Sequence, residues 1–185
     1  IAHCPLSSPI PMTPVPMTLY LSAEDQTKIF RAGEAAFPRE CCGILLGRLK
    51  RDKDGAAIAQ VMEVHPVDNA WTSDYNEKFD VIPGAQETAE RRFTIDPRDL
   101  FRLQKLGRDR GFDIIGIYHS HPNHPAVPSD FDRTYAWANY SYPIVAVHHG
   151  KAVDLRSWRL DQSGQFQRET IQPVPSFSVA TPVNN

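Results

Sequence analysis

Residues 113–140, DIIGIYHSHPNHPAVPSDFDRTYAWANY, constrain this chain more than any other stretch. The opening run Asp113-Ile114-Ile115-Gly116-Ile117-Tyr118 is apolar and β-branched and reads as a buried strand. It continues into His119-Ser120-His121, and residues two apart on a strand share a face, so two imidazoles stand side by side. Pro122, Pro125 and Pro128 then stiffen a loop that can extend neither a strand nor a helix. Ser129-Asp130-Phe131-Asp132 starts a helix predicted to end near Tyr140. The loop turns the chain back, so Asp132 in the first helical turn faces the two histidines.

Two neutral imidazoles and one carboxylate are the donors a catalytic zinc site uses, with a fourth position left for water. Each half of the pattern has a plainer reading. Ser129-x-x-Asp132 also fits a helix cap with an acid in the first turn, and a single H-x-H occurs on many exposed strands. The full order of strand, H-x-H, proline-stiffened loop and S-x-x-D opening a helix is far more specific than either half.

This pattern, His119-x-His121, seven residues, Ser129-x-x-Asp132, resembles the motif of the JAMM (MPN+) metalloproteases. That family also places a glutamate just before a buried strand, and Glu40 in Pro38-Arg39-Glu40-Cys41-Cys42-Gly43-Ile44-Leu45-Leu46-Gly47 fits the position. The resemblance covers residues 18–172 and implies a single α/β domain of cytidine-deaminase-like architecture. A mixed β-sheet is expected, flanked by helices near Ala23, Pro97 and Asp130. The resemblance also implies one Zn²⁺ per chain on His119, His121 and Asp132, with Glu40 as general base toward the attacking water. Ser129 is a candidate donor to a tetrahedral oxyanion.

The reaction implied is hydrolysis after the C-terminal glycine of a ubiquitin-like or sulfur-carrier β-grasp protein with a Gly-Gly end. Two alternatives stay open: a zinc amidase acting on a small molecule, and a non-catalytic MPN scaffold, which normally lacks the zinc ligands. Only about ten residues separate Asp132 from the next strand at Pro143, too few for the second insertion of chain-specific deubiquitinases. Their linkage specificity is therefore not carried over.

Bulk properties set the frame for that reading. A length of 185 residues fits one domain with a proper core. A formal net charge of -2 gives no reason to expect nucleic acid or an anionic membrane as partner. Three cysteines, two of them adjacent, make no disulfide framework, and no apolar run reaches the length of a membrane span, so the expected location is cytoplasmic.

Residues 1–17 carry five prolines and almost no charge, and read as an extended arm rather than a signal peptide. A short strand at 18–21 precedes a helix from an Ser22 cap to about Phe37, ended by Pro38. Cys41 and Cys42 read as small packing residues. Residues 50–55 form a charged hairpin turn, with residues 57–67 as the partner strand. The loop at 68–89 holds Trp71, Tyr75 and Phe79, either substrate contacts or anchors to the body. Residues 91–95 read as a strand, and Asp96-Pro97 opens a helix whose core face is Leu100, Phe101, Leu103 and Leu106. Further strands are predicted at 143–147, 153–160 and 165–171, with residues 173–185 as a tail.

Overall fold

A computed structural model describes residues 18–51, 53, 55–72 and 88–174. The predicted arm, all but the first two residues of the predicted tail, and most of the loop at 68–89 lie outside the described residues.

The sheet is built around two strands that need cover on both faces. Strand β2 (Cys42–Arg51) is buried from Cys42 to Gly47 without the alternation of a half-exposed strand. The reason is that alternate side chains go to different helices. Leu45 joins Ile29 of helix α1 (Ala23–Ala36), whereas Ile44 and Leu46 pack on Leu103 of helix α2 (Pro97–Arg110). A strand sandwiched in this way reads as a continuous apolar run. Strand β4 (Asp113–Pro122) lies beside β2, antiparallel, with Cys42 opposite His119. On its other side β4 runs parallel to β5 (Tyr142–His148), with His119 opposite Ile144 and His121 opposite Ala146. The motif histidines thus sit at the end of β4, His119 with strand partners on both sides and His121 paired with β5.

Helices α1 and α2 begin and end where their local chemistry predicts. Ser22 caps α1 by accepting the Asp25 amide at 3.0 Å, and Phe37 leaves the helical region before Pro38, at ψ 134°. Asp96 caps α2 with Pro97 behind it, and Gly111 closes that helix in the left-handed region at φ 71°. No helix among the described residues is long and apolar enough to cross a membrane.

The mixed sheet, with helices packed on it, closes on itself as a barrel, in the order β1-β3-β2-β4-β5-β6-β7. The closing strand is β1 (Thr18–Tyr20), which runs parallel to both β3 (Ala57–Val67) and β7 (Phe166–Gln172). Strand β6 (Lys151–Leu160) completes the ring between β5 and β7. Residues 91–95 are not a strand, because their backbone groups bond to the side chain of Asn69 and to Ala70 instead of a neighbouring strand. The helix after Ser129, α3 (Asp130–Tyr135), stops early. Beyond it the Trp137 amide donates to the Tyr142 hydroxyl at 2.6 Å, not to a helical carbonyl. Phe101 is 64% exposed, off the α2 stripe made by Leu100, Leu103 and Leu106.

Gly116 is one place where backbone approach demands glycine. A Cβ there would collide with the Ser141 carbonyl and lie 3.1 Å from Leu45 Cδ1, while beside it the Ile117 amide donates to the Ser141 carbonyl and the Ser141 amide donates to the Ile115 carbonyl. Gly116→Ala is expected to lower stability by about 1–3 kcal/mol through overpacking, read as a lower urea midpoint. An unchanged midpoint would mean that β4 and Ser141 can separate freely.

Candidate metal centre

Strand periodicity and the proline loop together build the site. On β4, His119 and His121 point to one side, and Ser120 between them points to the other, where its Oγ accepts the Cys41 amide at 2.8 Å. A second bond, from the Ser120 amide to the Cys41 carbonyl at 3.1 Å, fixes the start of β2 and with it the position of Glu40. The loop after β4 is tied down by an Asn123 amide bond to the Val147 carbonyl at 2.7 Å. A Trp158 indole bond to the Ala126 carbonyl at 3.0 Å anchors its far end. The turn-back therefore delivers α3 at a fixed place.

Three donor groups converge. His119 Nε2 lies 3.0 Å from His121 Nε2, and the two carboxylate oxygens of Asp132 lie 3.4 Å from His119 Nε2 and 3.6 Å from His121 Nε2. All three ligand atoms fall within 4.8 Å of one another. His121 Nδ1 is 2.9 Å from the Pro125 carbonyl. A carbonyl can only accept, so Nδ1 carries the proton and Nε2 offers a lone pair to the cluster. This is the outer bond that orients a metal-binding imidazole. His119 Nε2 also faces the cluster, and Phe93 stacks on its ring at 4.6 Å between centroids. Its Nδ1 has no hydrogen-bond partner among the described residues. Three nitrogen and oxygen donors that crowd one another across an open centre fit a borderline cation with tetrahedral preference.

The plainer reading of Ser129-x-x-Asp132 holds at the same time. Asp132 Oδ2 accepts the Ser129 amide at 2.7 Å and Ser129 Oγ accepts the Asp132 amide at 3.1 Å, a complete capping box. The cap locks the carboxylate toward the histidines. The Ser129 hydroxyl also donates to Asp132 Oδ2 at 2.7 Å, so donation to an oxyanion requires exchange of that bond.

Electrostatics favour an ionised acid and a neutral His119. Burial works to raise the Asp132 pKa, yet the two imidazoles and the Ser129 amide hold it well below the usual carboxylate range. Burial pulls the His119 imidazole down, and Asp132 only partly offsets it. For His121 burial also pulls down, but Asp132, Glu40 and the Pro125 carbonyl together raise it.

Two cavities border the cluster. One, of about 290 Å³, has His119 and Asp132 in a wall otherwise largely apolar. The other, of about 210 Å³, is lined by Glu40, His121 and Ser129 together with charged Glu90, Arg91 and Arg92. Glu40 is only 6% exposed. Glu40, His119, His121, Ser129 and Asp132 thus each line one of the two cavities. Cys41 and Cys42 are packed in the core, with burial pushing the Cys41 thiol up to about 11. Trp71 is buried and packs edge-on against Phe131 at 5.6 Å, as an anchor. Tyr75 and Phe79 lie outside the described residues. His148 and His149 are exposed.

Asn69 is the residue that sequence reasoning passed over. Its amide nitrogen donates to the carbonyls of Glu40 at 3.0 Å and Arg92 at 2.9 Å, and its oxygen accepts the amides of Trp71 at 3.0 Å and Thr94 at 3.3 Å. One side chain thereby ties the Glu40 segment to the strap that carries Phe93 onto His119. No periodicity marks such a residue; its place in a loop of no regular structure was the only sign. Asn69→Asp keeps the acceptor and loses the donors. It is expected to lower stability by roughly 1–3 kcal/mol, the penalty of leaving buried partners unpaired. Hydrogen exchange at Glu40 and Thr94 should rise, and unchanged exchange there would show that the strap is held by other contacts.

The chain is similar to known proteins in sequence and in fold. Desampylase of Haloferax volcanii is 32% identical over 110 residues, which span 58% of this chain and 62% of that protein. The solution structure of a protein from Desulfitobacterium hafniense superposes with a TM-score of 0.62 at 27% identity, covering 88% of this chain and 95% of that one. A solution structure of a protein from Salinibacter ruber gives a TM-score of 0.57 at 29% identity, over 86% of this chain and 93% of that one. The family described as prokaryotic homologs of the JAB domain matches residues 22–161, and the chain belongs to that JAB/MPN family.

Proposed function

We propose that this protein is a zinc-dependent isopeptidase that hydrolyses the bond after the C-terminal glycine of a ubiquitin-like β-grasp protein. The observation that carries the reading is the convergence of His119, His121 and Asp132 beside a cavity lined by Glu40. The likeness to Desampylase, whose name describes removal of an attached modifier, supports the substrate class.

His119 Nε2, His121 Nε2 and one Asp132 oxygen would hold the ion. When bound, zinc supplies Lewis acidity toward the scissile carbonyl and makes a water nucleophilic near neutral pH. Glu40 takes the proton of the attacking water and returns it to the leaving nitrogen. Asp132 keeps its charge, held by its cap. Ser129 Oγ turns from Asp132 toward the oxyanion as charge develops there. The small-molecule amidase remains the second reading, because the ligand set fixes the reaction class and not the substrate.

The test is zinc-loaded protein presented with a β-grasp protein fused through its Gly-Gly end to a reporter, beside a panel of small amides. Cleavage at the glycine supports the proposal. Cleavage of small amides alone overturns it.

A further inference from the structure

His119 and His121 are held toward the cluster in different ways. The His121 ring is oriented by a hydrogen bond, donated from Nδ1 to the Pro125 carbonyl at 2.9 Å. A metal-binding imidazole almost always donates its second ring nitrogen in this manner, which fixes both tautomer and orientation. The His119 Nδ1 meets no acceptor among the described residues, although the residue is only 1% exposed. What lies against that ring is Phe93, stacked on it with 4.6 Å between centroids and 25° between planes.

Phe93 is itself held in place. The residues on either side of it are both bonded to Asn69, through the Arg92 carbonyl at 2.9 Å and the Thr94 amide at 3.3 Å. The Thr94 carbonyl accepts the Ala70 amide at 3.0 Å. The Arg92 guanidinium lies over the Phe131 ring, 4.5 Å from its centroid, one residue before Asp132. The strap thus touches β4 through His119 and α3 through Phe131, the two elements that supply the three donors.

Resting on the zinc-site reading, we propose that Phe93 is a positioning residue for the metal: stacking by its ring fixes the His119 imidazole, where His121 relies on a hydrogen bond. An imidazole that gives its Nε2 lone pair to a cation becomes electron-poor. The electron-rich face of a phenyl ring attracts it more strongly than it attracts the ion-free imidazole. The stack therefore favours the ion-bound site over the ion-free one, and it does so without a charge or a ligand atom. Phe93 also walls the larger cavity. A role confined to that wall would leave zinc affinity unchanged, so affinity is the deciding readout.

The test measures zinc dissociation constants by competition with a chromophoric chelator. Phe93→Leu keeps apolar bulk and loses the ring, and zinc should bind about 10–100-fold more weakly, the usual cost of losing an outer-shell partner. Phe93→Tyr keeps the ring and should bind zinc as the wild type does. Pentafluorophenylalanine placed at position 93 keeps the ring's shape but makes its face electron-poor. Zinc affinity should fall as in Phe93→Leu, with the metal-free Tm at the wild-type value, so the loss is not one of folding. Cobalt supplies a second readout, because its visible absorption follows ligand geometry. The band should move in Phe93→Leu and stay in Phe93→Tyr. Wild-type zinc affinity in Phe93→Leu or in the pentafluoro variant overturns the proposal and leaves the metal centre standing. A wild type that binds neither zinc nor cobalt overturns both.

Discussion

Glu40→Gln is expected to lower kcat on a Gly-Gly fusion by about 10²–10⁴-fold, the usual contribution of a positioned general base. Zinc content and thermal midpoint should stay at wild-type values. The substitution is nearly isosteric, and the position of residue 40 does not depend on its carboxylate alone. The Glu40 amide donates to the Ala89 carbonyl at 2.7 Å, and its own carbonyl accepts from Asn69 at 3.0 Å. Cys41, next in the chain, is fixed to Ser120 by bonds in both directions. The side chain is 6% exposed in a cavity shared with His121, so water cannot easily replace its proton-accepting role. Loss of kcat at constant zinc content would separate chemistry from folding. Full turnover by Glu40→Gln would mean that another group accepts the proton.

His119→Ala is expected to reduce the zinc content from about one per chain to near none. His119 supplies one of the three donors, and its ring is 1% exposed, so its loss leaves an incomplete ligand set in a buried site. Zinc at about 100 times its dissociation constant should stabilise the wild type by about 2.7 kcal/mol, since binding is linked to folding. For a chain of this length that corresponds to a rise of roughly 5–10 °C in Tm, using about 2–4 °C per kcal/mol. The variant should show no such rise, and chelation should return the wild type to its metal-free Tm. The variant also loses packing with Phe93, which stacks on the ring at 4.6 Å. Its metal-free Tm should therefore lie below that of metal-free wild type. A wild type that takes up no zinc would make the three donors a structural relic and favour the scaffold alternative.

The chain itself determined the donor set. H-x-H on a strand fixes two imidazoles to one face by the two-residue period, whatever the rest of the fold does. Ser129-x-x-Asp132 determined its own cap, and Pro122, Pro125 and Pro128 determined that neither element runs through the loop. The ends of α1 and α2 were equally local, set by Ser22, Pro38, Asp96 and Gly111.

What only the tertiary structure decided came from partners distant in sequence. Whether the sheet is open or closed rests on three residues of β1 meeting strands about 40 and 150 positions away, and no local pattern encodes that pairing. Residues 91–95 have the alternation of a strand, yet Asn69 takes their hydrogen bonds. The helix after Ser129 ends early because the Tyr142 hydroxyl captures the Trp137 amide. Glu169, on a strand of mixed polarity, is 2% exposed because Ser141 and Ser157 donate to it inside the fold, and burial raises its pKa despite them. Propensity and period report what a segment does with its own atoms. The cavities that His119, His121 and Asp132 help to line are made by side chains from segments far apart in the chain, so their shapes arise only when those segments pack.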